Sequence, residues 1–237
     1  MVKQTKNTKE ATRLIDRTKT YSPEEAIGLA KKAAFARFDE TVELHLRMGV
    51  DPRNATQQVR GVALLPHGLG KKIRILVFAQ GEGVKIAETA GADYVGGDDL
   101  VKKIEAGWLE FDTAIATPEM MAKVGKLGKI LGRRGLMPNP KSGTVVAAAD
   151  LPRVIDDSRK GRVEFKLDRT AIIHVPLGKV SFGEDLLMGN LTALIEAVVK
   201  AKPSGVKGQY VKTAVLTTSM GPGVKLDLKP TLSLSSS

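Results

Sequence analysis

The pattern of apolar residues changes twice along the chain, and this change constrains the fold more than any other feature. Residues 41–48 alternate strictly between apolar and polar side chains, which predicts a strand with one buried face and one polar face. Residues 73–158 instead alternate short apolar runs with helical stretches, which predicts a parallel sheet covered by helices. After residue 160 the first pattern returns, with strands predicted at 163–167, 171–175 and 210–218 and an amphipathic helix at 184–201.

The simplest interpretation of these patterns is a two-domain protein of mixed α/β and α+β class. A split α+β domain is formed by both termini, residues 1–67 plus 160–237. A Rossmann-like three-layer α/β domain, residues 68–159, is inserted into it. The polar residues 1–20 are predicted to form a loosely held arm, and residues 230–237 a disordered tail.

The charge balance indicates the class of partner. The chain of 237 residues has 37 lysines and arginines against 26 acidic residues, a net charge of +11, and such a field attracts polyanions. Nucleic acid, an anionic membrane surface and acidic proteins are therefore candidate partners. No apolar run reaches the roughly 18–20 residues that a membrane span requires, and the only long amphipathic helix carries few basic groups, so a membrane partner is not expected.

Motifs for catalysis, cofactors and metals are weak. The absence of cysteine excludes thiolate zinc sites and cysteine nucleophiles. Gly70-Lys71-Lys72 fails as a phosphate loop because Leu65 stands where the first glycine belongs. Gln80-Gly81-Glu82-Gly83 lacks the third glycine of a dinucleotide loop, since Ile86 occupies that place. None of the histidines has metal-ligand spacing; they are His45, His67 and His174. No catalytic site, cofactor or metal is expected, and a nucleotide-using enzyme remains the alternative that ATP or NAD binding would favour.

One segment, residues 120–149, contains no acidic residue. Its glycines would let backbone N–H groups approach an anion, which favours phosphate contact over the alternative of a solvated, mobile loop. The cations predicted to make this contact are Lys126, Lys129, Arg133, Arg134 and Lys141. Aromatic residues make up only 4% of the chain, so a structured RNA fits better than a flexible single strand held by base stacking. Charge alone does not exclude DNA.

The run Lys129–Val145, KILGRRGLMPNPKSGTV, resembles the signature of the ribosomal protein L-one family in its bacterial or plastid form. Residues 37–43 with 49–53, residues 163–174 and residues 217–222 are similar to further family segments. The resemblance covers about residues 5–225, in order and with the spacing of the family.

This resemblance implies a function. It implies two domains joined by a hinge, with the first domain built from both termini, and no enzymatic activity. It implies a structural constituent of the large ribosomal subunit that binds the folded rRNA of a mobile stalk near the tRNA exit site and assists release of deacylated tRNA. Members of the family also often repress translation of their own mRNA, through its leader or operon message. The protein would be cytoplasmic, on the ribosome, or in the plastid stroma, and a monomer when free.

The RNA-binding residues implied by the resemblance lie in the terminal-half domain. By position they are Phe38, Thr41, Glu43, Lys166, Asp168, Arg169, Thr170, His174, Thr213, Thr217, Ser219, Met220 and Gly221. Ser219 stands where threonine is common, and both provide a hydroxyl. The carboxylate of Glu43 could accept hydrogen bonds from ribose 2′-hydroxyls, which would distinguish RNA from DNA. The resemblance therefore places the main site outside the basic segment 120–149, which keeps an accessory role.

Overall fold

The structure, a computed structural model, describes residues 5–206 and 208–234 and divides into two compact units. Unit 1 comprises the described residues of Met1–Gly70 and Val163–Ser237, and unit 2 comprises Lys71–Arg162. The mixed α/β class predicted from the sequence is confirmed. The ends of the predicted terminal domain, residues 1–4 and 235–237, lie outside the described residues.

The described residues form the following regular elements. The helices are α1 (Lys6–Arg13), α2 (Pro23–Ala33), α3 (Glu82–Thr89), α4 (Asp98–Glu105), α5 (Met121–Val124), α6 (Gly128–Arg134), α7 (Leu151–Arg159), α8 (Glu184–Lys200) and α9 (Leu228–Ser233). The strands are β1 (Thr41–Met48), β2 (Arg60–Leu64), β3 (Ile75–Phe78), β4 (Tyr94–Gly96), β5 (Thr113–Ala116), β6 (Arg162–Lys166), β7 (Ile172–Lys179), β8 (Val211–Thr218) and β9 (Val224–Leu226).

Unit 1 is built on an antiparallel sheet with the strand order β7-β1-β8-β9. The alternation of residues 41–48 gives β1 its two faces, because successive side chains of a strand point to opposite sides. The apolar set is at most 2% exposed and consists of Val42, Leu44, Leu46 and Met48. Strands β2 and β6 pair with each other in a separate two-stranded sheet.

Helices α2 and α8 cover the apolar face of this sheet. Helix α2 begins with the predicted capping box, in which the Ser22 side chain accepts from the N–H of Glu25 and the Glu25 carboxylate accepts from the N–H of Ser22. Helix α8 contributes Leu187, Leu191 and other apolar residues at helical spacing to the same core. The opposite face of the sheet carries mostly polar residues.

Unit 2 has three layers. Its parallel sheet has the order β4-β3-β5, and β3 is buried on both faces, as its unbroken apolar sequence predicts. Leu76 and Phe78 pack into one cluster with α4 and α6, while Ile75 and Val77 pack into another with α3 and α7. Among the described residues of both units, no helix is long and apolar enough to cross a membrane.

Both terminal segments are more ordered than predicted. The prediction of a loosely held arm over residues 1–20 is wrong for the described part, because Thr5 caps α1 and the pair Ala11 and Ile15 is buried in the core of unit 1. The disordered tail is also wrong over 230–234, since Asp227 caps α9 and Thr231 is fully buried. Two buried residues in the first segment and one in the second were too few to produce a recognisable pattern in a polar sequence.

Candidate nucleic-acid interface

The polar side of the four-stranded sheet in unit 1, which we call the open face, collects side chains from all of its strands. Directly opposite residues of antiparallel strands share a face. Glu43 lies opposite Thr217, and Arg47 lies opposite Thr213. The open face includes the polar residues Thr41, Glu43, His45, Arg47, His174, Thr213, Thr217 and Lys225 and the apolar residues Ile172, Pro176 and Val215, all partly or fully exposed.

Two histidines meet at the centre of the open face. His45 of β1 lies opposite His174 of β7, and their Nδ1 atoms are 2.8 Å apart. The outer nitrogens face carboxylates: Nε2 of His45 is 3.8 Å from Oε2 of Glu43, and Nε2 of His174 is 3.4 Å from Oδ2 of Asp168. Burial and the charge of His174 lower the pKa of His45, and Glu43 opposes them. The four side chains therefore form one row in which two imidazoles lie between two carboxylates.

The turn before β7 is organised by Asp168. Its carboxylate accepts from the N–H groups of Thr170 and Ile172 at 2.8 and 2.7 Å, and from the Thr170 hydroxyl at 2.6 Å. Partial burial alone would raise the pKa of Asp168. The hydrogen bonds have the larger effect, and the pKa is lowered to about 2. The turn ends at Ala171, whose φ of 62° is rare for a residue with a Cβ. Asp168 is thus a fixed negative charge that holds the turn.

The loop after β8 is fixed to the start of β1. Ser219 exchanges two hydrogen bonds with Thr41: its hydroxyl accepts from the Thr41 N–H at 3.0 Å, and its N–H donates to the Thr41 carbonyl at 3.1 Å. The hydroxyl of Thr217 donates to the carbonyl of Gly221 at 3.2 Å. A Cβ on Gly221 would lie 2.3 Å from Oγ1 of Thr218, so only glycine fits there without a shift.

Two apolar side chains project from loops at this end of the sheet. Phe38 is 58% exposed and Met220 is 55% exposed. Their loops are joined by the buried carboxylate of Glu40, which accepts from the N–H groups of Ala36 and Met220 at 2.8 and 2.9 Å. Burial raises the pKa of Glu40, but these hydrogen bonds hold it below its usual value. The exposed Phe38 and Met220 are therefore presented from a rigid base.

The structure brings most of the predicted RNA-binding residues to one side of unit 1. Thr41, Glu43, His174, Thr213 and Thr217 lie on the open face. The remaining ones lie in the turn before β7, at the exposed end of β6, and in the loops bordering β1 and β8; they are Phe38, Lys166, Asp168, Arg169, Thr170, Ser219, Met220 and Gly221. The side chains of Lys166 and Arg169 form no hydrogen bond or ion pair with other described residues, and both residues are exposed.

Three polar residues of the open face were not among the predicted ones, and neither were the apolar Ile172, Pro176 and Val215. His45 and Arg47 follow directly from the alternation that begins at Thr41, so the sequence contained the signal for them. Lys225 lies opposite Val215, but β9 is only three residues long and gave no pattern. The three add imidazole and cationic groups to the face.

The basic segment of unit 2 is folded rather than a mobile loop. Val124, Leu127 and Leu131 are buried at helical spacing, which turns the intervening cations outward. These exposed cations form no ion pair with other described residues, and they are Lys126, Lys129, Arg133, Arg134 and Lys141. They lie in unit 2 and outside the open face.

The nucleotide-loop alternative gains no support from the geometry. Gly81 precedes α3 without a side-chain cap, and the groove beside it is lined by Glu82 and Glu119. Two carboxylates would repel a pyrophosphate. Across residues 5–206 and 208–234, there is no group of three or more side chains that could hold a metal ion.

Comparison with known proteins agrees with the resemblance of the sequence motifs. The model of the family described as "Ribosomal protein L1p/L10e family" matches residues 30–222. Two relatives named large ribosomal subunit protein uL1, from Dehalococcoides mccartyi strains BAV1 and CBDB1, are each 63% identical to the chain over 229 residues. The alignments cover 97% of the chain and 97% of each relative.

Proposed function

The chain belongs to the ribosomal protein L1p/L10e family, and we propose that it holds the mobile rRNA stalk of the large subunit through the open face and its bordering loops. The family is structural and non-enzymatic, and its members are RNA-binding constituents of the ribosome. The finer assignment, to the stalk near the tRNA exit site, rests on the resemblance of the sequence motifs.

One observation carries the proposal. Polar residues that are far apart in the chain, as Thr41 and Ser219 are at 178 positions, meet at one side of unit 1 and there form a largely polar surface. Hydroxyls, imidazoles, cations and carboxylates on a flat sheet can match phosphates, riboses and base edges of a folded RNA. A surface serving only solubility would not require the hydrogen bonds that fix the turn at Asp168 and the loop at Ser219.

The carboxylate of Glu43 acts in this proposal as a hydrogen-bond acceptor for the RNA. The neighbours of Glu43 across the strands are both uncharged: Thr217 lies on one side and Pro176 on the other. A carboxylate accepts hydrogen bonds and donates none when ionised. RNA can offer base amino groups and ribose 2′-hydroxyls as donors at this position, and because DNA lacks the 2′-hydroxyl, a bond from that group to Glu43 selects RNA over DNA.

The remaining roles follow from the same assignment. The protein assists release of deacylated tRNA by moving with the stalk, and it represses its own mRNA where the message carries a similar RNA element. It acts on the ribosome in the cytoplasm; the relatives named above are bacterial, so the comparisons do not support a plastid location.

The free protein is a monomer. Its RNA-binding domain comprises residues 1–67 plus 160–237, and its inserted domain comprises residues 68–159. The two compact units support this division.

An accessory contact belongs to unit 2. Five exposed cations form no ion pair with other described residues, so their charge is available to phosphates of rRNA or tRNA; they are Lys126, Lys129, Arg133, Arg134 and Lys141. The exposed glycines of α6 and the turns before it leave the backbone open, since nothing lies within 4 Å of a Cβ placed on Gly125, Gly128 or Gly132. This contact is secondary to the open face.

The salt dependence of binding tests the main proposal. The full chain is titrated with the stalk segment of Dehalococcoides mccartyi large-subunit rRNA between about 50 and 200 mM salt. Log affinity should fall linearly with log salt, with a slope of roughly −0.7 to −0.9 per phosphate contacted. A DNA of the same sequence should bind more weakly. Equal affinity for both, or a slope of zero, would contradict the proposal.

A further inference from the structure

The row Glu43, His45, His174 and Asp168 crosses the centre of the open face. With both imidazoles neutral, it has one N–H fewer than the number of contacts that could hold one. Two neutral imidazoles carry two N–H groups between them. The row has three places for a proton: the 2.8 Å contact between the Nδ1 atoms, the 3.8 Å approach of His45 to Glu43, and the 3.4 Å approach of His174 to Asp168. One added proton fills all three.

A second added proton is opposed by the same geometry. It would place an N–H on both Nδ1 atoms, which lie 2.8 Å apart, and two donors cannot share that contact. The rings also approach edge to face, with centroids 4.9 Å apart, so two positive charges would be close together. The pair therefore accepts a single proton.

From this geometry we infer that His45 and His174 act together as one proton-binding contact for RNA, so that binding of the RNA takes up a proton. The inference rests on the proposed function, since it requires RNA to lie on the open face. It adds His45 to the contact residues and gives the site a dependence on pH.

The charged groups around His45 and His174 explain why bound RNA would favour protonation of the pair. The charged groups that surround it are Glu43 and Arg47 on β1, Asp168 and Arg169 in the turn before β7, and Lys225 on β9; β8 contributes the uncharged Thr213, Val215 and Thr217. Burial and the charge of His174 keep the pKa of His45 below 6.5 in the free protein, against the pull of Glu43. The phosphates of a bound RNA add negative charge and favour the protonated pair.

Linkage sets the size of the effect. If binding takes up one proton, affinity rises by at most about tenfold for each unit by which the pH falls. Because burial and the charge of His174 lower the pKa of His45 in the free protein, the added proton is bound mainly in the complex, and we expect the dissociation constant of the wild type to fall by about fivefold between pH 7.5 and 6.0, relative to a variant without the pair.

The test is calorimetric titration of the full chain with the Dehalococcoides mccartyi stalk rRNA segment in two buffers of different ionisation enthalpy, which gives the protons taken up on binding. The variants are the double change His45→Gln with His174→Gln, and the control His67→Gln. His67 is the remaining histidine of the chain, lies outside the open face, and contacts the fold through its backbone N–H. Unfolding midpoints establish that each variant is folded.

The outcomes separate this inference from the proposed function. Proton uptake in the wild type and in His67→Gln, with none in the double variant, is the expected result. RNA binding without proton uptake, or with equal uptake in the double variant, would overturn the inference and leave RNA binding in place. Absence of RNA binding by the wild type at every pH would overturn the proposed function itself.

Discussion

The carboxylate of Glu40 accepts a hydrogen bond from the backbone N–H of Met220 at 2.9 Å, across 180 residues of chain. The same side chain accepts from the N–H groups of Phe35 and Ala36 at 3.0 and 2.8 Å and is 1% exposed. One buried acid thus joins the loop before β1 to the loop after β8.

Removing this acid should destabilise unit 1. Glu40→Ala leaves three part-buried N–H groups without their charged acceptor, so we expect a loss of about 3 kcal/mol in the free energy of unfolding. Glu40→Gln keeps one acceptor oxygen and the side-chain volume, and should cost less. Urea denaturation measures both. Equal stability of the wild type and Glu40→Ala would show that the two loops hold together without the carboxylate.

The loop at Gly221 should tolerate no side chain. Gly221→Ala places a Cβ 2.3 Å from Oγ1 of Thr218, which must displace the loop that carries Met220. We expect RNA affinity to fall by about tenfold, about 1.4 kcal/mol. Binding measured by fluorescence anisotropy checks this expectation.

Gly132→Ala is the matched control for that change. Gly132 lies within α6, and nothing is within 4 Å of an added Cβ, so alanine should stabilise unit 2 by up to about 1 kcal/mol. The principal RNA affinity should change little. If both alanine variants weakened binding equally, the steric explanation for Gly221 would fail.

Side chains on the open face and its loops should affect binding more than stability. Glu43→Ala and Met220→Ala should each weaken rRNA binding by about tenfold, about 1.4 kcal/mol, because both side chains are substantially exposed and the backbone N–H of Met220 keeps its bond to Glu40. The matched controls are Glu196→Ala and Leu186→Ala on α8, on the covered side of the sheet. Normal binding by Glu43→Ala and Met220→Ala would place the RNA elsewhere.

Acid should weaken unit 1 through Asp168. Its pKa is lowered from 3.8 to about 2 in the folded protein, where burial is outweighed by hydrogen bonds from Thr170 and Ile172. A carboxylate with a lowered folded pKa contributes stability above its unfolded pKa, and that contribution is lost as pH falls from 3.8 towards about 2. The urea midpoint of Asp168→Asn should therefore fall less over this range than that of the wild type. Parallel curves would assign no part of the acid sensitivity to Asp168.

The sequence predicted those parts of the fold in which local periodicity determines the structure. The alternation at 41–48 and the helical spacing at 184–201 correspond to β1 and α8. It did not predict α1, α9 or β9, because each is short and depends on a cap or on one or two buried residues. The order of the strands and the row of Glu43, His45, His174 and Asp168 depend on pairing across more than a hundred residues, which periodicity does not encode.

The candidate site likewise has features that the sequence predicted and features that it did not. The resemblance identified residues at the open face, and the charge of the chain indicated a polyanion. Neither indicated that His45 meets His174, or that Glu40 connects the loops of Phe38 and Met220, because these relationships exist only once β1 lies between β7 and β8.

Protection of single cysteines tests the account most directly. The chain has no cysteine, so Thr213→Cys labels the open face, Lys129→Cys labels the basic segment of unit 2, and Glu196→Cys labels α8. Maleimide reaction rates are measured with and without the stalk rRNA. The account predicts that RNA slows the reaction most at position 213 and leaves position 196 unchanged. Protection at 129 or 196 with none at 213 would contradict it.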